Sequence, residues 1–341
     1  MPADPVLTLA SLVLAHLVAD FVIQTGGVVA AKNAPGGRGW LGLGAHGLGV
    51  AVCLIPIVAA FGLAGFWTLS AVTLAHVVID RAKILFTRRV ERRALDTADA
   101  RHEGRPPAAG LGRAWTPLPA LYFALDQLAH LAVLFAAWLV WLSGQTPSWS
   151  SFVGDLLSGR DPAVVHDVVL GIVVVTSLLI ANVRGGALFV ATLVRPNELG
   201  AEIGALSGAA EPPPEAAAPA AGAGAGGRAW DIRIGPIAGR VEEEQPPVRA
   251  GGPTTPTPPG PPGPPAAQVG ATIGILERLL IVTFVLAGAE VAIGLVVAAK
   301  TIARFRLLDD RDFAEYYLLG TLGSVTVAIL TGLVAKAALA A

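Results

Sequence analysis

Long apolar runs, separated by short polar stretches, dominate the chain. Seven runs are long enough to cross a bilayer as helices, which takes about 20 mainly apolar residues. They cover 6–30, 41–62, 66–87, 118–142, 164–194, 273–305 and 314–340. A break near Gly288 would turn the sixth run into a short hairpin. The pattern therefore predicts an all-α, polytopic transmembrane bundle of seven or eight membrane segments.

Composition divides the chain into four parts. These are a four-helix membrane core at 1–142, an outer loop and fifth membrane segment at 143–195, a linker at 196–271, and a C-terminal membrane hairpin with helices at 272–341. The linker contains EPPPEAAAPAAGAGAGG and TTPTPPGPPGPPAA. Such a Pro-, Ala- and Gly-rich sequence cannot bury enough apolar surface to fold, so we expect the linker to be disordered and cytoplasmic.

One short segment of the linker departs from this composition. Trp230, Ile232 and Ile234 alternate with polar residues in AWDIRIG, which is the period of a strand with one apolar face. The segment is either a chance apolar island in a tether or a strand, from Trp230 to Ile234, that docks on a protein partner. The sequence does not define the oligomeric state.

The overall composition favours a membrane location. The chain is 54% hydrophobic and only 14% charged, with a mean hydropathy of +0.64, whereas soluble domains carry about 25% charged residues. We therefore expect the lipid bilayer to be its main partner. The formal net charge of −1 gives no attraction to nucleic acid, so no nucleic-acid partner is expected. The single cysteine, Cys53, excludes an internal disulfide.

The distribution of lysine and arginine predicts the orientation. The connection 88–117 carries seven arginines against four acidic residues, so it should lie in the cytoplasm. Counting back along the predicted helices places the loop 31–40, with Lys32, inside and the N-terminus outside. We expect a multi-pass protein of the bacterial inner (cytoplasmic) membrane.

Histidine and aspartate recur one helical turn apart inside three of the apolar runs, in LAHLVAD, LAHVVID and DQLAH. Residues four apart share one face of a helix, and an ionisable side chain at mid-bilayer costs at least about 2.5 kcal/mol. These faces should therefore point into the protein. The pairs are His16 with Asp20, His76 with Asp80, and Asp126 with His130.

The predicted orientation makes the three pairs equivalent. Two of the helices run from outside to inside with His before Asp, and the third runs back with Asp before His, so each aspartate lies nearer the cytoplasm than its histidine. The pattern predicts one shared site, with a layer of aspartates below a layer of histidines. Gln24 and Lys83 extend two of the polar faces, Gln127 follows Asp126, and His46 lies toward the cytoplasmic edge.

Three kinds of chemistry fit such a site. Histidine nitrogen and aspartate oxygen suit a divalent metal such as Zn, Mn or Fe, and an activated water there would support hydrolysis or group transfer. The same residues could instead relay protons or ions in a transporter. They could also only lock a noncatalytic scaffold through hydrogen bonds between helices. Whether the protein is an enzyme, and which residues would be catalytic, stays open.

The candidate residues fall into two groups. For a metal site, six are ligands or residues that orient ligands: His16, Asp20, His76, Asp80, Asp126 and His130. Four are candidates for contact with a substrate or for a relay: Gln24, Lys83, His46 and Gln127. Lys83 has an alternative, since a lysine near a helix end can extend its ammonium to the membrane surface.

The motifs HLVADFVIQ (with Lys32 downstream), HVVIDRAK and LDQLAH resemble those of a bacterial membrane-protein family known as domain of unknown function 3307. This resemblance covers about 6–142. The segments IGILERLLI, AAKTIARF and EYYLLGTLGS resemble the tail of longer members. The family has no established biochemical activity, so the resemblance implies the membrane fold and the choice of site residues but no reaction.

Overall fold

The computed structural model of the chain describes residues 5–101, 116–147, 162–194, 229–234, 237–242, 266–309 and 311–340. As predicted, the apolar runs form helices, which are α1 (Pro5–Val18), α2 (Gly26–Lys32), α3 (Gly37–Arg101), α4 (Leu118–Ala137), α5 (Pro162–Ile180), α6 (Gly186–Val194), α7 (Ala266–Ala287), α8 (Val291–Ala303) and α9 (Arg311–Ala340). Three π-helical segments extend or join them: π1 (Ala19–Ile23), π2 (Trp138–Leu142) and π3 (Ala181–Gly185). A 3-10 turn covers Phe305–Leu307, and two strands are β1 (Ala229–Ile234) and β2 (Ile237–Glu242).

Among the residues that the structure describes, six helices are long and apolar enough to cross a membrane. They are Pro5–Ile23, Gly37–Arg93, Leu118–Leu142, Ala163–Val194, Gly270–Ala287 and Phe313–Ala340. This is fewer than the seven or eight segments predicted, for two reasons. One of the six helices, Gly37–Arg93, contains both predicted segments 41–62 and 66–87, and α8 has only 13 residues, fewer than the roughly 20 that a crossing takes. The orientation, with 88–117 in the cytoplasm, stays a prediction.

α3 folds back on itself at Gly62. This glycine has φ 55° and ψ −123°, a conformation that residues with a side chain rarely adopt. In a straight helix His46 and His76, which are 30 residues apart, would be separated by about 45 Å. Instead their Nε2 atoms lie 2.9 Å apart. α3 is therefore a hairpin of two antiparallel arms, 37–61 and 63–101.

Replacing Gly62 by alanine should destabilise the protein, because a Cβ makes the positive φ at this reversal costly. We expect the free energy of unfolding to fall by about 1–3 kcal/mol, measured by SDS titration of the protein in detergent micelles. Gly171→Ala is the matched control, since Gly171 is helical and a Cβ there would meet no atom within 4 Å. The control should be neutral or slightly more stable, and equal losses in both variants would contradict the prediction.

The first predicted segment, 6–30, is interrupted. α1 passes into π1, the chain becomes extended at Gln24, and α2 begins after Thr25, whose side chain caps it. α2 packs so closely against the first arm of α3 that a Cβ on Gly42 would clash with the backbone nitrogen of Lys32. Lys32 is consequently buried, only 8% exposed, and does not lie in a surface loop as predicted.

Two buried apolar clusters hold the helices together. The first joins α1, π1, π2, α4 and both arms of α3 through Leu12, Ala19, Val50, Leu54, Val72, Leu134 and Leu142. The second joins α5, α7, α8 and α9 through Leu170, Val174, Ile281, Val285, Ile293 and Ala328. Val6 and Leu7 of α1 pack against the second cluster, so α1 connects the two. The first cluster fixes the helices that carry the His/Asp motifs around a common interior.

α7 and α8 form a short hairpin, with the break near Gly288 where the sequence places it. Gly288 has φ 70° and ends α7. α8 then runs back along α7, because Lys300 Nζ lies 2.6 Å from Glu277 Oε2. The hairpin therefore brings the C-terminal end of α8, which carries Lys300, back toward the beginning of α7.

Within the linker the structure describes a short β-hairpin. β1 and β2 pair antiparallel, with Trp230 opposite Val241 and Ile234 opposite Ile237. These two strands depart from the disorder predicted for 196–271. The segment Trp230–Ile234, which the sequence left as either a chance apolar island or a strand, is a strand and pairs with the chain's own β2. A protein partner for it stays a prediction. Linker residues 266–271 belong to α7. The other linker residues, as well as 102–115 and 148–161, lie outside the described residues.

Candidate functional site

The polar residues of the three motifs meet inside the N-terminal helices. We call the following group the polar cluster: His16, Asp20, Gln24, Lys32, His46, His76, Asp80, Lys83, Asp126, Gln127 and His130. Its four histidines and two of its three aspartates are only 1–4% exposed. The structure thus brings together the ten residues singled out in the sequence and adds one more, Lys32.

Four histidine rings pack against one another in this cluster. His76 is the middle ring, with its centroid 4.0 Å from that of His130, 4.9 Å from that of His46 and 5.6 Å from that of His16. The rings of His16 and His130 are stacked at 5.0 Å. His46, which the sequence places toward the edge of the site, is therefore in direct contact with its central ring.

Three atoms that can each donate an electron pair to a metal ion converge beside these rings, and each comes from a different helical segment. Asp20 Oδ1 lies 3.1 Å from His76 Nε2 and 3.3 Å from His46 Nε2, and the two nitrogens are 2.9 Å apart. We call these three atoms the donor triangle. Neither contact of Asp20 Oδ1 has hydrogen-bond geometry, and this buried oxygen has no hydrogen-bond partner among the described residues. Asp20 lies in π1, and π-helical turns occur frequently at functional sites.

Two lysines pair with the other two carboxylates. Lys32 Nζ lies 2.8 Å from Asp80 Oδ2 and donates to Gln24 Oε1 at 2.8 Å. Lys83 Nζ lies 2.9 Å from Asp126 Oδ2, while its side chain keeps 26% exposure. The Lys83 ammonium therefore points into the cluster and does not extend to the membrane surface, which was the alternative that the sequence left open.

Sequence reasoning did not identify Lys32 as part of the site. Its charge and its position after the first apolar run favoured a cytoplasmic loop. A usable signal was Thr25, a good helix cap, followed by two glycines and the apolar VVAA. That pattern predicts a second short helix, which could bring the lysine at its end back against the first arm of α3.

Gln127 connects the aspartates to the histidines. Its Nε2 donates to Asp126 Oδ2 at 3.1 Å and to Asp20 Oδ2 at 3.4 Å, and its Oε1 lies 3.3 Å from His16 Nε2. Because an amide oxygen only accepts, His16 Nε2 carries a proton in this arrangement. His16 is thus a hydrogen-bond donor to Gln127 and holds it in place.

His130 carries its proton on the other ring nitrogen, Nδ1. Its Nδ1 lies 2.8 Å from the backbone oxygen of Asp126, so Nδ1 carries the proton and donates it. In the neutral ring, Nε2 then has a free lone pair. This buried nitrogen has no hydrogen-bond partner in the parts of the chain that the structure describes. This nitrogen is therefore able to accept a proton or to bind a metal ion.

The histidines and aspartates of the cluster form three overlapping sets of residues that could hold a metal ion. They are His16 with Asp20 and His76, His46 with His76 and Asp80, and Asp80 with Asp126 and His130. Within each set the ligand atoms lie within 4.8 Å of one another. Because the sets share His76 and Asp80, they form one continuous region.

The charges of the cluster do not balance without a further cation. Its three carboxylates face two lysine ammonium groups, which leaves a net charge of −1 when the histidines are neutral. An uncompensated charge inside a membrane protein is costly. Positive charge next to Asp20 would therefore stabilise the cluster. A proton on a neighbouring histidine would bring the net charge to zero, and a divalent metal ion would bring it to +1.

The six apolar helices among the described residues indicate a multi-pass membrane protein. Residues 8–156 match the model of a family described as "Protein of unknown function (DUF3307)". The match contains all three His/Asp motifs and confirms their resemblance to this family. The match ends before the C-terminal segments, whose resemblance to longer members stays a prediction. No curated protein and no solved structure matches the chain.

Proposed function

We propose that the polar cluster binds one divalent transition-metal ion and that the protein is a membrane-embedded, metal-dependent hydrolase or group transferase. The observation that carries this proposal is the donor triangle. Its edges of 2.9–3.3 Å are close to the separation of about 3.3 Å between ligands in a tetrahedral site with bonds of about 2.0 Å. Two imidazole nitrogens and a carboxylate oxygen suit Zn, Mn or Fe.

Neighbouring residues would orient these ligands. Gln127 donates to Asp20 Oδ2 and leaves Oδ1 of the same carboxylate for the ion. Asp80 Oδ2 lies 3.4 Å from His46 Nε2 and is held by Lys32, so it would complete the ligand set. Such contacts behind the ligands set their direction and their affinity for a metal.

The bound ion would supply Lewis-acid chemistry and an activated water. The chain's own residues would position the substrate and move protons. Lys83 lies at the rim of the cluster, since its ammonium contacts both Asp126 and the Phe123 ring while part of the side chain stays exposed. It would contact an acidic group of the substrate. His130 Nε2, buried and without a hydrogen-bond partner among the described residues, would accept a proton.

Metal analysis of the full-length protein tests this proposal. The protein is purified in detergent, stripped with a chelator, reloaded separately with Zn, Mn or Fe, and dialysed. At least one of the three metals should remain bound at about one ion per chain. Loss of all three on dialysis would contradict the proposal.

A proton relay is the second candidate function. The specific observation in its favour is the charge of the cluster, because a single proton shared by His46 and His76 would neutralise Asp20. The short contact between His46 Nε2 and His76 Nε2 would pass this proton between the two rings, and the His130 ring, packed 4.0 Å from that of His76, would receive it next. A proton-coupled transporter would use the same residues in this way.

The variant His130→Gln separates the two candidates, because His130 lies outside the donor triangle but at the end of the proposed relay. If the cluster binds metal, the variant should retain the ion at the wild-type level. If it relays protons, proton uptake into proteoliposomes should fall at least about tenfold, since glutamine does not titrate. Metal retention without any wild-type proton uptake would reject the relay. If the wild type neither binds metal nor takes up protons, the noncatalytic scaffold is the interpretation that remains.

A further inference from the structure

A buried arginine lies in the C-terminal half of the chain, outside the polar cluster. Arg278 is near the middle of the candidate span Gly270–Ala287 and is only 2% exposed. A charged side chain inside a membrane span is costly, and such residues commonly serve a function. The polar cluster does not use this arginine.

Arg278 has neutral hydrogen-bond partners. Its Nε donates to the backbone oxygen of Asn182 in π3 at 2.8 Å, and its Nη1 donates to Ser324 Oγ at 3.0 Å. The adjacent carboxylate, that of Glu277, is held by Lys300 at 2.6 Å. Among the residues that the structure describes, no carboxylate forms an ion pair with Arg278. The guanidinium therefore keeps a positive charge without a paired anion and has unused N–H donors.

The guanidinium points toward the start of α7, along an open face of that helix. A Cβ on Gly274, one turn before Arg278, would lie 3.6 Å from Nη1 and would meet no other atom within 4 Å. A Cβ on Gly270 would meet nothing within 4 Å. The guanidinium is thus level with Gly274, four residues after the start of the span at Gly270. Four residues of α-helix rise about 6 Å, so the charge lies about 6 Å inside the span. Arginines in membranes extend toward headgroups in this way.

A free hydroxyl lies at the same level on α9. α9 is parallel to α7, because Arg278 contacts Ser324 and, further along both helices, a Cβ on Gly332 would lie 3.0 Å from Val285. Thr321, one turn before Ser324, is thus level with the end of the guanidinium. It is 6% exposed, and its Oγ1 has no hydrogen-bond partner within the described residues.

We propose that Arg278, Ser324 and Thr321 form a binding site for one phosphate group that enters at the membrane surface where α7 begins. A guanidinium with unused donors and two hydroxyls match the several acceptor oxygens of a phosphate. The phosphate belongs to an anionic lipid headgroup or is free in solution. The open glycine face of α7 favours a headgroup, because it leads from the bilayer surface to the charge. This site does not depend on metal in the polar cluster.

The test measures binding of dioleoyl phosphatidylglycerol, dioleoyl phosphatidylcholine and inorganic phosphate to the full-length protein in detergent micelles. Binding is followed by the rise in unfolding temperature and by native mass spectrometry. The wild type should bind phosphatidylglycerol more tightly than phosphatidylcholine, or else bind inorganic phosphate. Arg278→Met should weaken binding of the preferred ligand at least about tenfold, and Thr321→Val should weaken it about threefold. Arg306→Met removes an exposed arginine from the 3-10 turn and should bind as the wild type does.

The outcomes separate the sources of phosphate and the two proposals. Competition of inorganic phosphate with phosphatidylglycerol supports a site for the free anion, and binding of the lipid alone supports a headgroup site. Equal binding by wild type and Arg278→Met would overturn the proposal. If Arg278→Met does not fold, equal binding by wild type and Thr321→Val would overturn it. Metal content should be unchanged in Thr321→Val, so failure of this proposal is distinct from failure of the metal site.

Discussion

Replacing Asp20 by asparagine should abolish tight metal binding and leave the fold intact. Asparagine has the size of aspartate but no charge, so the donor triangle keeps its shape and loses its only anionic ligand. Loss of a residue that merely orients a ligand lowers metal affinity about 10- to 100-fold. Loss of the ligand itself should therefore lower the affinity for Zn, Mn or Fe at least about 100-fold. Competition with a chelator of known affinity measures this change.

Asp167→Asn is the matched control for this experiment. The same atoms change, but the side chain of Asp167 is 79% exposed and contacts His166, outside the polar cluster. This variant should bind metal with wild-type affinity. Wild-type affinity in Asp20→Asn as well would show that the donor triangle is not the ligand set.

The stability of the metal-free and metal-bound proteins gives a second readout. Among the described residues, Asp20 is the carboxylate of the cluster that no lysine pairs with, so its removal brings the net charge of the cluster from −1 to zero. The metal-free variant should therefore be at least as stable as the wild type. Metal at 100 times its dissociation constant should stabilise the wild type by about 2.7 kcal/mol and the variant by almost nothing. A folding defect would instead lower the stability of the variant under both conditions.

The helical bundle could be predicted because apolar length alone decides which segments can enter a bilayer. The tight reversal that joins two of its helices could not. The runs 41–62 and 66–87 are joined without a polar loop, and the chain reverses at Gly62 through a single positive φ. Hydropathy does not record backbone dihedral angles, so a glycine inside an apolar run signals neither a straight helix nor a reversal.

The membership of the site could be predicted, but its contacts could not. The spacing of four residues places His16 and Asp20 on one face of the first helical segment, and the cost of burial directs that face inward. In the structure, however, the short contacts of Asp20 are with His76 and His46 of α3. His16 is instead hydrogen-bonded to Gln127. Helical periodicity defines faces, whereas contacts between helices depend on their packing and on the wider turn of π1.

The largest stability effect is expected from Lys32→Met. Methionine has the length of the lysine stem and fits an apolar environment, but it leaves the Asp80 carboxylate, 2% exposed, without its ammonium partner at 2.8 Å. Breaking a buried ion pair on one side costs about 3–5 kcal/mol, because the remaining charge stays buried without compensation. We expect a loss of this size in the free energy of unfolding, measured by SDS titration in detergent micelles.

The double variant Lys32→Met/Asp80→Asn separates loss of the pair from a general packing defect. It removes both charges, so it should be at least about 2 kcal/mol more stable than the sum of the single effects predicts. Lys336→Met is the matched control, because its ammonium lies 3.6 Å from Glu290 and the two side chains are 45% and 58% exposed. That surface pair should contribute about 0–1 kcal/mol.

Equal effects of Lys32→Met and Lys336→Met would contradict the buried position of Lys32. In that case the ammonium would lie at the membrane surface, as the charge pattern of 31–40 predicts, and Asp80 would be free for the ion beside His46. The metal site would then contain two unpaired carboxylates, Asp20 and Asp80. Asp80→Asn would lower metal affinity as strongly as Asp20→Asn. If Lys32 is buried against Asp80, the effect of Asp80→Asn on affinity should be the smaller of the two, because Oδ2 is already occupied by the lysine.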